Sequence, residues 1–119
     1  MKRKTQNKVH VLRFRVINKS IFEAIKSGEK KVETRAATEK YQAITSGDVL
    51  KFVCGKKYFN RSVSGVFIFK TIATLLKRYR VKEINPHVGS KEDLVAMYYS
   101  FPGYYEKIQK YGIVAFKLI

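Results

Sequence analysis

The chain has 119 residues, of which 45% are hydrophobic, enough for one compact domain and too many for a disordered segment. Twenty-five Lys and Arg against nine Asp and Glu leave a net charge of +16, an excess that a polyanionic partner would relieve. No apolar run approaches the roughly 20 residues of a membrane span, the amino-terminal MKRKTQNK has no apolar signal stretch, and the single cysteine excludes an internal disulfide and a cysteine-based zinc site.

In chain order, residues 1–8 read as a basic amino-terminal arm and residues 9–119 as the folded domain. HVLRFRV alternates, with Leu12, Phe14 and Val16 on one face and Arg13 and Arg15 on the other, which predicts a half-buried strand. Ser20 and Glu23 have the spacing of a capping box, Ile21, Ala24 and Ile25 follow at helical spacing, and Gly28 supplies a left-handed stop. A helix over about Ser20–Ser27 therefore delivers the chain into KKVETRA, where β-branched Val32 and Thr34 favour a strand. A polar loop leads to the turn Ser46–Asp48 and the strand VLKFVC.

GKKYFNR, Gly55 to Arg61, reads as a hairpin connection. SVSGVFIFKTI then places Val63, Phe67 and Phe69 on one strand face, with Gly65 at a bulge or a close approach. IATLLKRYR is a short helix or turn and VKEINPHVG is irregular. Ser90 and Asp93 cap a further helix with Leu94, Met97 and Tyr98 inward. Pro102 and Gly103 break the chain, YYEKIQKY gives a last helical turn or two, and IVAFKLI closes as a strand. Strands at both ends and in the middle predict an α+β fold, a small mixed β-barrel flanked by short helices; strict βαβ alternation is absent.

The stretch SGEKKVETRAA carries the chemical question. In an extended strand Lys31, Glu33 and Arg35 project to one side, with Lys30 at the helix-to-strand junction. Such a row is either a solvated face of weak charge pairs or the wall of a polar pocket. As a pocket, Lys30 and Glu33 can act as an acid–base pair, Lys31 and Arg35 can stabilise phosphate charge, or Glu33 and Arg35 can hold a base edge with no chemistry.

Helix, then Gly28, Lys30, Glu33 and Arg35, then a short loop and Gly47-Asp48 before VLKF, resembles the ASCH domain of the PUA-like superfamily. The likeness extends from Val9 to Ile119, most specifically in the Gly-x-Lys-x-x-Glu-x-Arg segment. It implies a PUA-like barrel with a cleft beside that segment and a nucleotide or modified base as ligand. Some ASCH-like proteins resemble amidohydrolases of acetylated cytidine that use the motif lysine, a threonine three residues later and a glutamate. Lys30 matches the first, Glu33 stands in the threonine's place, and INPHVGS offers His87 in place of a carboxylate. Others resemble ribonucleases, and many bind RNA alone. The resemblance thus implies RNA or nucleotide binding, with Lys30 and Glu33 as catalytic residues if the cleft is an enzyme's.

Outside the motif, GKKYFNR and LLKRYR interleave aromatics with cations. Lys56, Lys57, Tyr58, Arg61, Lys77, Arg78, Tyr79 and Arg80 are candidates for phosphate contact and base stacking. Neither a lipidation signal nor a basic amphipathic helix supports a membrane surface as partner. His10 and His87 are too isolated for a metal site; His10 reads as packing, and His87 as a candidate to face the cleft. Among Tyr98, Tyr99, Tyr104, Tyr105 and Tyr111, read mainly as packing, one is a candidate for the pocket mouth. Cys54 reads as a small packing residue. The expectation is a cytoplasmic, monomeric protein with no cofactor and no metal; ribosome association or plain solubility are the remaining readings of the charge.

Overall fold

A computed structural model describes residues 7–119, so the expected amino-terminal arm lies outside the described residues but for its last two. The elements run β1 (Val9–Phe14), a 3-10 turn at Val16–Asn18, α1 (Lys19–Ser27), β2 (Val32–Ala36), α2 (Glu39–Gln42), β3 (Val49–Cys54) and β4 (Lys57–Phe69). Then come α3 (Ile72–Arg78), α4 (Val81–Ile84), α5 (Lys91–Ser100), α6 (Tyr104–Tyr111) and β5 (Ile113–Leu118). The strands form one curled five-stranded sheet in the order β1-β3-β4-β5-β2. β1 and β3 are parallel and the other pairs antiparallel, which leaves β1 and β2 as the two edges. Among the described residues no helix is long and apolar enough to cross a membrane.

Both faces of the sheet are covered, which explains why IVAFKLI is apolar almost without alternation. Val114, Phe116 and Leu118 of β5 join Leu12, Phe22, Ile25 and Phe52 in an inner core under α1. Ile113 and Ala115 turn the other way, onto Leu75, Ile84, Leu94 and Tyr98 of α3–α5. Cys54 packs in the inner core, as expected.

Several local expectations change, the first two being that the polar loop before Ser46 contains α2 and that VKEI, expected to be irregular, forms α4. Val16 is not a strand residue: β1 ends at Phe14, and Val16 sits exposed in the 3-10 turn. That turn also displaces the capping box. Its own backbone bonds, Asn18 N–H to Arg15 and Lys19 N–H to Val16, run straight into α1, so the helix starts at Lys19 and Ser20 lies inside it. GKKYFNR is mostly strand: the hairpin closes across Cys54 and Lys57, and Gly55 at φ 61° takes the first central position of a tight two-residue turn. The expected bulge is present, the register slipping between Val63 and Gly65 around Ser64. One extra residue reverses the alternation. Val66 therefore joins Val63 over the inner core, whereas Phe69 packs on the outer one, so Val63 and Phe69 do not share a face.

The Ser46–Asp48 turn has a structural task. Buried Asp48 accepts from the backbone N–H of Lys8 at 3.1 Å through Oδ1, and from that of Thr45 at 3.1 Å through Oδ2, which also meets His10 Nε2 at 2.8 Å. The edge strand β1 is thereby tied to the entry of β3, and His10 is satisfied as a packing residue. Burial alone would raise the Asp48 pKa, but the two backbone N–H groups and His10 outweigh it and hold it at about 2. An acid whose pKa is lowered on folding stabilises the fold above its unfolded value, near 4, and loses that contribution as pH falls toward 2. In urea unfolding between pH 6 and pH 2 the wild type should lose on the order of 1–2 kcal/mol more than Asp48→Ala. Parallel pH profiles for the two proteins would refute the assignment.

Candidate functional site

Gly28, at φ 87°, ends α1 in the left-handed conformation that costs glycine least. The chain then folds back, with the Lys30 N–H bonded to the carbonyl of Ala24 at 2.9 Å. Lys30 is thereby carried inside rather than along the strand face, and only 3% of it is exposed. Its ammonium donates to the carbonyls of Val32, on the edge strand, and of Ile84, at the end of α4. It also faces Glu33 Oε1 at 3.3 Å.

Glu33 Oε2 in turn accepts from Arg35 Nε at 2.9 Å, so a carboxylate 4% exposed lies between two cations. The Arg35 guanidinium sits 5.0 Å from the Phe14 ring centroid and 5.7 Å from that of Tyr41, and donates from Nη1 to the Tyr41 hydroxyl at 3.4 Å. Burial depresses the Lys30 pKa, and the attraction of Glu33 only partly opposes it. For Arg35 burial acts in the same direction, but Glu33, with Tyr41 and Tyr104, prevails and holds the group above its ordinary value.

Glu33 and Arg35 lie opposite the inner-core residues Phe116 and Val114 of β5 and so share the inner face of β2, with Arg35 reaching Phe14 and Tyr41. Thr34, one residue out of phase, points to the outer face and shares a hydrogen bond with the buried Tyr98 hydroxyl. Burial raises the Tyr98 pKa, so that hydroxyl stays neutral. The sheet curls enough for its two edges to border one pocket of about 220 Å3. Arg13 and Phe14 of β1 line one side, Glu33, Thr34 and Arg35 the other, and Asn85, Met97, Tyr98, Phe101 and Tyr104 bring the helical layer against it. Asn85 is fixed in orientation: its Oδ1 accepts from the His87 N–H at 2.9 Å and its amide nitrogen lies 3.2 Å from Met97 Sδ.

The question left open by SGEKKVETRAA is answered: Lys30, Glu33 and Arg35 wall a sheltered hollow. Lys31 does not share it, being exposed and outside the pocket lining, because the strand begins only at Val32. None of the wider basic set lines the pocket either. Lys56, Lys57 and Tyr58 are exposed at the hairpin, with Lys51 4.4 Å over the Tyr58 ring and Lys57 3.8 Å from Glu23. Arg61 lies over Phe59 and donates to the Lys26 carbonyl at 2.8 Å. Lys77, Arg78 and Arg80 are exposed, Arg78 stacking 4.3 Å over Phe67. Tyr79 is a correction: it packs in the outer core against Phe69, so its ring is no open platform for a base.

His87 is exposed and its side chain does not line the pocket. Of the five tyrosines two do, Tyr98 and Tyr104. Arg13, Arg15, Thr34 and Asn85 were not singled out from sequence. The arginines look like the solvent side of an alternating strand, and Thr34 and Asn85 gain their roles only through partners 64 and 12 residues away. Among the described residues no group of three or more His, Cys, Asp or Glu comes together as a metal site would require.

No model of a known protein family matches the chain, and no curated protein does. Solved structures do. The crystal structure of the hypothetical protein PH0355 is 31% identical, with a TM-score of 0.76 over 93% of this chain and 96% of that one. The solution NMR structure of protein PF0455 from Pyrococcus furiosus is 28% identical, with a TM-score of 0.71 over 92% of this chain and 96% of that one.

Lys30 and Lys31 are neighbours in sequence and opposites in environment, which makes a direct comparison. Lys30→Met strands the Glu33 carboxylate with one cation fewer and removes the donor from two carbonyls, a loss of about 3–5 kcal/mol for a broken buried pair. Lys31→Met should stay within about 0.5 kcal/mol of wild type. Denaturant midpoints measure both, and equal effects would contradict this geometry.

Proposed function

The chain belongs to the same family as the hypothetical protein PH0355, and we propose that it binds RNA or a nucleotide in the pocket bounded by Lys30, Glu33 and Arg35. One observation carries this reading: a buried cluster of two cations and one carboxylate borders a hollow whose remaining walls combine aromatic and apolar side chains with polar ones and two arginines. A nucleotide has the matching parts, an anionic group and a flat ring with polar edges. The resemblance of Gly28, Lys30, Glu33 and Arg35 to the ASCH motif supports the same ligand class, and the net charge of +16 favours attraction of a polyanion to the surface around the pocket.

Binding fits the geometry better than catalysis does. An ammonium has three N–H donors, and those of Lys30 are directed at two carbonyls and at Glu33. A lysine so engaged has no lone pair to offer a substrate. The alternative, a ribonuclease or an amidohydrolase of modified nucleosides using the same cleft, requires that network to open during turnover.

Fluorescence anisotropy with a labelled single-stranded RNA should show affinity falling steeply with salt. Tyr104→Ala, which removes a pocket wall, should weaken binding by about 5- to 100-fold, the scale of one lost stacking contact. Lys56→Ala with Lys57→Ala should lower the salt slope instead. Affinity indifferent to Tyr104 would sink the pocket reading. Incubation with RNA and with acetylated cytidine, with and without divalent ions, should yield no product; product formed by the wild type and abolished in Lys30→Ala would establish the enzyme.

A further inference from the structure

The Arg35 guanidinium has five N–H donors in one plane. Nε–H is taken by Glu33 and one Nη1–H by Tyr41, and the rings of Phe14 and Tyr41 lie against it. Three N–H groups, the second on Nη1 and both on Nη2, have no partner among the described residues, although the side chain is only 14% exposed and lines the pocket. These donors open onto the pocket from a guanidinium fixed on its other side, a fork well shaped for a bidentate oxyanion.

The remaining charge points the same way. The charged side chains lining the pocket are Arg13, Arg15, Lys30, Arg35 and Glu33, four cations and one carboxylate. Glu33 is shared between Lys30 and Arg35, so the interior retains a positive excess, and the exposed Arg13 and Arg15 add two cations at the end of β1. An internal phosphodiester of RNA carries one negative charge and is bonded to sugar on both sides. A terminal phosphomonoester carries nearly two at neutral pH and presents three free oxygens.

Resting on the reading of the pocket as a nucleotide site, we infer that Arg35, Arg13 and Arg15 form the seat of a terminal phosphate. The pocket ligand is then a nucleoside monophosphate or the phosphorylated end of an RNA rather than an internal base. Phe14 and the walls contributed by Tyr104 and Phe101 take the attached nucleoside, while Lys30 holds Glu33 and so positions Arg35 without touching the ligand.

Calorimetric titration of the full chain tests this with each of the four nucleoside 5′-monophosphates, the four 3′-monophosphates, the parent nucleosides, inorganic phosphate and acetate. The best monophosphate should bind at least tenfold more tightly than its nucleoside. Arg35→Lys, which keeps the charge and loses the fork, should weaken that monophosphate at least tenfold and leave the nucleoside within about twofold. Arg13→Ala and Arg15→Ala, at exposed positions, should each weaken it several-fold and decide the matter should Arg35→Lys fail to fold. Nucleosides binding as tightly as monophosphates, or monophosphate affinity indifferent to all three arginines, would overturn the phosphate seat while leaving a nucleotide pocket intact. Arg35-dependent binding of acetate but of no phosphate compound would overturn it in favour of a carboxylate. Absence of binding by every nucleotide and nucleoside would overturn this inference, and only together with no Tyr104-dependent binding of the labelled RNA would it overturn the function proposed above. Equal Arg35-dependent affinity for inorganic phosphate and for the monophosphates would show a seat for free phosphate and overturn the nucleotide.

Discussion

Burying a carboxylate costs several kcal/mol of lost hydration, and Glu33 is accommodated only because Lys30 approaches one of its oxygens and Arg35 the other. Each cation answers to a different part of the fold. Lys30 comes from the turn after α1 and reaches across to the Ile84 carbonyl in the helical layer. Arg35 comes from β2 and leans on Phe14 of the opposite sheet edge and on Tyr41 of α2. The ionic cluster is therefore the point where both edges of the sheet and one end of the helical layer are held against one another, and the pocket is the space that arrangement leaves.

The same contacts manage an exposed sheet edge. β2 pairs with β5 on one side only, and an unpaired strand edge invites association with another chain. Here the Lys30 ammonium takes the Val32 carbonyl, Thr34 engages Tyr98, and α4 and α6 pack alongside. Protecting the edge and building the pocket are one device. The pocket is consequently as rigid as the layer packing that forms it, and altering its ionic members affects stability and pocket shape together.

Much of the fold was legible because its signals are local. Alternation marked β1, Gly28 marked the end of α1, Gly65 marked the bulge, and the Ser90 cap on Asp93 marked the start of α5. What misled was local pattern with a competing neighbour: the 3-10 turn ran directly into α1 and left Ser20 inside the helix, and one bulged residue reversed the phase after Val63. The ionic residues of the site were legible in kind, since a carboxylate among cations two residues apart is conspicuous. Their burial was not. It depends on Lys30 meeting Ile84, 54 residues away, and on Arg35 meeting Phe14 across the curled sheet, contacts that no periodicity in the chain encodes. Tyr79 failed for the converse reason: an aromatic between arginines looks like a nucleic-acid contact until the outer core is seen to need it.

The pocket depends on the burial of one ammonium, and side-chain NMR of lysine Cε and Nζ through an alkaline titration reads that most directly. Lys30, identified by the resonance lost in Lys30→Met, should titrate below the ordinary lysine value of about 10.4. Lys30 titrating at that ordinary value would contradict a sheltered cluster and with it the pocket it builds.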